Sequence, residues 1–313
     1  MERYYSYSKY LKETFGEKVF RITVDAGFTC PNRDGTKGKG GCIYCYSGSE
    51  YRPEKRALSV REQIREGMER VGRRYGAKKF LVYFQAYTNT YAPVNVLKEL
   101  YDTVREFKEV VGFIVGTRPD CVPDEVLQLL SSYTDKYLVW LELGLESSHF
   151  KSLRFMNRGH GVSDFVDAVL RVRNYPEIKL CVHTILGLLT EDYKDMMETA
   201  DFIASLRLDG VKIHPLHVIE GTELARIYKE KPFKLLELEE YVKLVVDFIE
   251  RLPESTVIQR MTGEAPPDIL IGPSWCTQRE KHRVIEEIRR EFEWRDTYQG
   301  AKCRFKGEVC RGR

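Results

Sequence analysis

A chain of 313 residues with 42% hydrophobic side chains can bury a substantial core, as one large α/β domain or two smaller ones, which excludes a disordered protein. Fifty Lys and Arg against 47 Asp and Glu leave a net charge of +3, too balanced to declare a nucleic-acid binder, so any basic surface must be local. The eight cysteines are scattered through a chain that folds without staples, so ligands and buried thiols are expected rather than a disulfide framework.

The opening MERYYSYSKYLKETFG alternates charged and aromatic residues and lacks the apolar core of a signal peptide. No later stretch approaches the roughly 18 apolar residues of a membrane span, so a soluble, cytoplasmic protein is expected. Short β-branched and aromatic runs then alternate with longer amphipathic ones: VFRITV (19–24), KFLVYFQA (79–86), VVGFIVGT (110–117), YLVWLELGL (137–145), KLCVHTILGLL (179–189) and GVKIHPLHVI (210–219). Each is followed by a helix-like segment; Leu97, Leu100, Tyr101 and Val104 recur at helical spacing, and Asp124 suits an N-cap before EVLQLL. Six such units starting near residue 18 predict a partial parallel (β/α)6 barrel rather than an open dinucleotide-binding sheet, whose GxGxxG fingerprint the first βα loop lacks. From about residue 234 the pattern changes to a long helix, a strand-like TVIQRM (256–261) and a charged final helix. With no Pro/Ser/Gly linker before it, the stretch 234–313 reads as a C-terminal α/β extension of a single domain whose core spans about 18–233.

The informative stretch is TCPNRDGTKGKGGCIYC (29–45), which follows the first strand and so falls at the C-terminal mouth, where parallel α/β folds keep their chemistry. Cys30, Cys42 and Cys45 are one ligand short of a structural zinc site, and the next cysteine is Cys121. An iron-sulfur cluster held by three thiolates leaves one iron open to an external ligand. Gly35, Gly38, Gly40 and Gly41 would let the backbone wrap such a cluster and offer amides to its sulfurs, and Arg33, Lys37 and Lys39 would offset its charge. A zinc knuckle completed by a distant ligand, or unligated thiols, are the alternatives.

In these residues the sequence resembles a radical S-adenosylmethionine (radical SAM) enzyme of the elongator-type division, in particular its YhcC-like group. That division has a long gap before the C-x-x-C pair, as in C-x11-C-x2-C here, where the commonest superfamily pattern is C-x3-C-x2-C. Later stretches match in order: YFQAYTNTYAP, GTRPDCVPDEVL, WLELGLESSH, NRGHGVSDF, HTILGLLTED and VKIHPLHVIEGTEL. The resemblance implies a 4Fe-4S cluster on Cys30, Cys42 and Cys45, S-adenosylmethionine as its external ligand, and a flavodoxin- or ferredoxin-type electron donor. It implies one-electron cleavage of the cofactor to methionine and a 5′-deoxyadenosyl radical. It puts Tyr44 near the adenine, and Gln85, Thr88 and Asn89 near the methionine ammonium, where this chain has QAYTN instead of the frequent GGE. It assigns the ribose hydroxyls to Glu142 or Glu146, which share a strand face, and the methionine carboxylate to Arg158 in NRGH.

Arg118 and Asp120 read equally well as site residues or as a surface ion pair. Lys212 and His214 share a face that would meet substrate, with a buried neutral histidine bonded to backbone as the alternative, and His183 has the same two readings, while His214 and His217, three apart on a strand, are expected to point opposite ways, which argues against a joint metal site. Gly221 and Thr222 are expected to close the sixth unit. Basic residues gather at RVGRRYGAKK (70–79) and from Arg279 to the C-terminus, and with Tyr4, Tyr5, Tyr7 and Tyr10 they would suit RNA; EEIRREFEWRD, however, interleaves acids as a solvated helix does. The resemblance leans toward tRNA modification, at a wobble-uridine side chain, although no acetyltransferase-sized extension follows the core. A small metabolite or peptide substrate, and an iron-sulfur redox or sensor protein without cofactor cleavage, are the alternatives. Cys276, Cys303 and Cys310 are weighed as ligands of a second cluster and read as buried or tail thiols; Cys121 and Cys181 read as packing residues.

Overall fold

The computed structural model describes residues 2–46, 58–85 and 87–305. Helix α1 (Tyr7–Phe15) leads into β1 (Val19–Val24), α2 (Val60–Tyr75), β2 (Lys79–Phe84), α3 (Val94–Asp102), β3 (Val110–Thr117), α4 (Asp124–Ser131) and β4 (Leu138–Glu146). Then come α5 (Phe150–Phe155), α6 (Val162–Val172), β5 (Lys179–Leu186), α7 (Tyr193–Ser205), β6 (Gly210–Pro215), the short β7 (Val218–Ile219) and α8 (Glu223–Glu230). The chain ends in α9 (Leu238–Ile249), β8 (Val257–Arg260), β9 (Leu270–Gly272) and α10 (Lys281–Trp294).

Seven strands form one sheet in the order β1-β2-β3-β4-β5-β6-β8, every neighbouring pair parallel, and curl into a half-barrel with helices outside. The six expected strands are present, and TVIQRM supplies the seventh by pairing with β6. β4 shows how the alternation works: Val139, Leu141, Leu143 and Leu145 enter the main core, while Trp140, Glu142 and Gly144 face the lumen. Because both faces are covered, the strands read as nearly continuous apolar runs. Among the described residues no helix is long and apolar enough to cross a membrane.

A half-barrel has two open edges, and α1 spans them. It packs against both β1 and β8, and the amide of Ile258 donates to the carbonyl of Tyr5 at 2.8 Å. Tyr7 and Tyr10 stack on each other and both meet Trp140 edge-on, with centroids 5.9 and 5.5 Å away, so the lumen is plugged with aromatic rings at its N-terminal end. The expectation that the N-terminal tyrosines stack on RNA bases is corrected here: Tyr4 and Tyr7 are buried, Tyr4 against Phe292, and the Tyr5 hydroxyl donates to Glu13. Asp124 is likewise the first helical residue of α4 rather than its cap; Pro123 holds the cap position with no side-chain hydrogen bond. Thr222 does cap α8, its hydroxyl accepting from the amide of Ala225, after Gly221 turns the chain at φ +80°.

Candidate active site

The three cysteines lie where β1 leaves the sheet. Between Cys30 and Cys42 the loop is folded by its own backbone: the amides of Arg33 and Asp34 donate to Cys30, those of Lys37 and Gly38 to Pro31, and that of Gly41 to Asn32. The amides of Gly35, Gly38 and Gly41 all bond to loop carbonyls, so the expectation that they point at sulfurs is corrected. Side chains do this instead: Asn32 Nδ2 lies 3.7 Å and Arg158 Nη1 3.3 Å from Cys42 Sγ. Two glycines permit this closeness, since a Cβ at Gly38 would stand 2.4 Å, and one at Gly159 2.7 Å, from Asn32 Oδ1. The loop is also tied to the far side of the mouth, with Ile43 donating to Met156 and accepting from Leu224, and with Asn157 Nδ2 donating to Gly41.

Arg158 is the hub of the mouth. Its guanidinium is buried and reaches Cys42, the Tyr44 hydroxyl at 3.2 Å, the Gly144 carbonyl at 2.6 Å and Glu146 Oε1 at 3.6 Å, while its Nε is buried without a partner among the described residues. Glu146 adopts φ +68° at the end of β4, where the register with β5 slips, and this turns its carboxylate toward Arg158. Gly144 leaves the room: a Cβ there would lie 2.7 Å from Glu146 Oε1 and 2.9 Å from Arg158 Nη2.

Arg118 and Asp120 form a buried pair, which corrects the surface reading. Arg118 grips both carboxylate oxygens and donates to the Arg158 carbonyl at 2.8 Å, while Lys37 reaches in from the cysteine loop at 2.6 Å. Burial raises the Asp120 carboxyl, but Arg118 and Lys37 overcome it and bring it down to about 2. His160 beside them is pushed down to about 3 by burial and by the positive charge of Arg158 and Arg118.

Below the mouth lies a cavity of about 310 Å³. The three cysteines, Tyr44, Gln85, Thr88, Glu142, Glu146 and Arg158 all line it, so sequence reading and structure bring these together. Asn89 does not line it; it is fully buried behind the wall, with Nδ2 bonded to the Gly116 carbonyl at 2.9 Å.

The cavity floor is polar. Glu142 Oε2 accepts from Lys212 Nζ at 2.6 Å and Tyr83 Oη at 2.6 Å, and pairs with His183 Nε2 at 2.9 Å. Burial would raise the Glu142 carboxyl, but Lys212 and His183 hold it well below the usual carboxylate range; burial pulls Lys212 down to about 8 against the attraction of Glu142. His214 lies next to His183 with ring centroids 5.6 Å apart. His217 also lines the cavity, because β6 ends at Pro215 and strand parity no longer governs it. Among the described residues His149, Asp195 and Glu198 also bring their ligand atoms within 4.8 Å of one another, a grouping that includes none of these histidines.

Asn32 and Tyr83 were not singled out from the sequence. Tyr83 and Gln85, the latter one residue past the end of β2, both line the cavity, and their even spacing was a usable signal. The basic stretch 70–79 ends α2 and starts β2, so it lies at the N-terminal edge of the sheet, opposite the cysteines. The arginines of α10 pair with their own helix: Arg283 with Glu280, Arg289 with Glu286, Arg290 with Glu287. Cys121, Cys181, Cys276 and Cys303 are buried, and burial pushes the Cys276 thiol up; Cys310 lies outside the described residues.

Residues 30–203 match the family model of the radical SAM superfamily, and residues 208–293 match the radical SAM C-terminal domain. Protein YhcC of Escherichia coli (strain K12) is 38% identical over 270 residues, covering 86% of each chain. A tRNA uridine(34) acetyltransferase of Methanocaldococcus jannaschii is 28% identical over 169 residues, 51% of this chain and 30% of that protein. The solved structure of Elp3 from Methanocaldococcus infernus shares the fold, with a TM-score of 0.63 at 20% identity over 90% of this chain and 64% of that one.

Proposed function

The chain belongs to the radical SAM superfamily and is an enzyme of that class, using a 4Fe-4S cluster and S-adenosylmethionine, and we propose that it modifies a uridine side chain in tRNA. The three thiols suit the cluster: Cys30, Cys42 and Cys45 share one cavity mouth, and charged or amide donors already face Cys42 Sγ. The orphaned Nε of Arg158 fits the cofactor's carboxylate, since a buried guanidinium donor without a partner is costly unless an anion completes it. When bound at these residues, the cluster and S-adenosylmethionine would together supply one-electron reductive cleavage of a carbon-sulfur bond and, through it, hydrogen-atom abstraction from substrate.

The chain's own residues would hold these partners in place. Cys30, Cys42 and Cys45 carry the metal, Arg158 binds the carboxylate of the cofactor, Glu146 rather than Glu142 accepts from its ribose hydroxyls, Gln85 and Thr88 accept from its ammonium, and Tyr44 offers a ring to the adenine. Asn89 positions the Gly116 wall from behind. The aromatic plug of α1 keeps water and stray hydrogen donors out of the lumen from below. Electrons come from an external flavodoxin- or ferredoxin-type protein.

The observation that carries the cofactor assignment is the direct link from Cys42 through Arg158 to Tyr44 and Glu146 at one cavity mouth. The likeness to a tRNA uridine(34) acetyltransferase supports the tRNA reading. A small metabolite or peptide is the second reading, favoured by the basic stretch 70–79 lying at the far edge of the sheet. Two measurements test the proposal: anaerobic reconstitution with 5′-deoxyadenosine release, and mass spectrometry of tRNA nucleosides from cells with and without the protein. Serine at any one of Cys30, Cys42 or Cys45 should abolish release, and full release by such a variant would sink the ligand assignment. An unchanged nucleoside profile would favour the small-molecule substrate.

A further inference from the structure

The floor of the cavity holds two polar atoms that the fold itself does not satisfy. Glu142 is 1% exposed, and while Oε2 takes Lys212, Tyr83 and His183, its Oε1 is buried with no partner among the described residues. His214 Nε2 is in the same condition. A buried carboxylate oxygen without a donor costs free energy, so a site built around one is complete only when a ligand supplies an N–H or O–H.

These atoms are also at the wrong depth for the cofactor's anchors. Glu146, Arg158 and Tyr44 cluster around Cys42 at the mouth, whereas Glu142 lies four residues deeper on β4, roughly 13 Å of strand. Gly116 lines the cavity from β3, where a Cβ would already be in van der Waals contact with the Phe84 carbonyl oxygen at 3.4 Å and the Tyr83 ring at 3.7 Å. The floor offers one charged acceptor in Glu142 Oε1, flanked by donors: the remaining N–H of Lys212 and, in its Nε2–H tautomer, His214.

Resting on the tRNA reading above, we infer that this floor is the substrate subsite and that it takes the imide edge of an unpaired uracil, with the N3–H on Glu142 Oε1 and a flanking carbonyl oxygen on Lys212 or His214. An N–H flanked by carbonyl oxygens is the complement of an acceptor flanked by donors, and enzymes that act on a base read its Watson–Crick edge in a closed pocket. Glu142 is thus a specificity-determining residue, while Lys212, His183 and Tyr83 are positioning residues that keep it ionised and aimed.

The test is equilibrium binding, read by fluorescence anisotropy, of a labelled stem-loop RNA with one unpaired uridine to the reconstituted protein with S-adenosylmethionine present. The same RNA carrying N3-methyluridine should bind about ten- to hundredfold more weakly, the range for losing a hydrogen bond to a charged group. In Glu142→Gln this discrimination should shrink, because a neutral amide is the weaker acceptor, while affinity for S-adenosylmethionine is kept. Equal binding of the two RNAs by the wild type overturns this inference and leaves the tRNA reading standing; no binding of either overturns both. Unchanged discrimination in Glu142→Gln would make the methyl effect steric, and loss of S-adenosylmethionine binding in that variant would give the floor to the cofactor; either result overturns the inference. Should Glu142→Gln not fold, equal binding of the two RNAs by the wild type still overturns the inference.

Discussion

Replacing Asp120 by Asn removes the charge around which the cysteine loop and the Arg158 loop are joined. The carboxylate is gripped by Arg118 at 2.9 and 3.0 Å and by Lys37 at 2.6 Å, and only 3% of its side chain is exposed. Burial alone would raise its pKa, yet the two cations bring it from 3.8 to about 2, which at about 1.4 kcal/mol per pH unit is worth about 2 kcal/mol once solvent near Lys37 is allowed for. Arg118 would be left buried without its counter-ion, so the loss on going to Asn is expected at about 2–4 kcal/mol. The sign with pH follows from the depressed pKa. The folded carboxyl holds its proton less tightly than the unfolded one, so the contribution is full above about pH 4 and disappears as pH falls toward 2. Urea denaturation of apo-protein, wild type against variant, should show this gap at pH 7 and its closing on acidification. Equal midpoints at pH 7, or a gap indifferent to pH, would refute the reasoning.

Gly159→Ala forces a Cβ into φ +68° and to within 2.7 Å of Asn32 Oδ1, so a loss of about 1–3 kcal/mol in stability and a lower iron content after reconstitution are expected; wild-type values for both would contradict the packing argument. Tyr7→Ala empties the space beneath Trp140 and should cost about 3–5 kcal/mol by chemical denaturation, a loss below about 1 kcal/mol showing that α1 is no plug. Lys212, pulled from 10.5 to about 8 by burial, gives up its proton in the folded state while the unfolded chain still holds it, so stability rises with pH between those values. Lys212→Met should lack that rise, and parallel pH profiles for the two proteins would disprove it.

Most of the sheet was legible because parallel strands buried on both faces leave continuous apolar runs; VFRITV and VVGFIVGT match β1 and β3 residue for residue. The mouth was legible for a different reason, since residues at strand ends need chemistry that the core does not: Cys30, Tyr44, Glu146 and Arg158 all fall there. What failed was whatever depended on contacts between distant segments. A tyrosine-rich N-terminus has the composition of a base-stacking surface, and only the pairing of Tyr5 with Ile258 shows that it closes the barrel. The run 70–79 is basic in composition, and only the direction of α2 puts it at the wrong end of the sheet for the chemistry.

The two carboxylates of β4 show how far parity reaches. Even spacing correctly sets Glu142 and Glu146 on the lumen face, but it is blind to depth and to the register slip that follows Gly144. Depth gives Glu142 a lysine, a histidine and a tyrosine around one oxygen and, among the described residues, nothing on the other, while the slip and a positive φ hand Glu146 to Arg158. Two identical side chains four residues apart thereby acquire different partners and electrostatics. The proposed division between a mouth for the cofactor and a floor for substrate follows from that difference, and not from the residue type that the sequence displays.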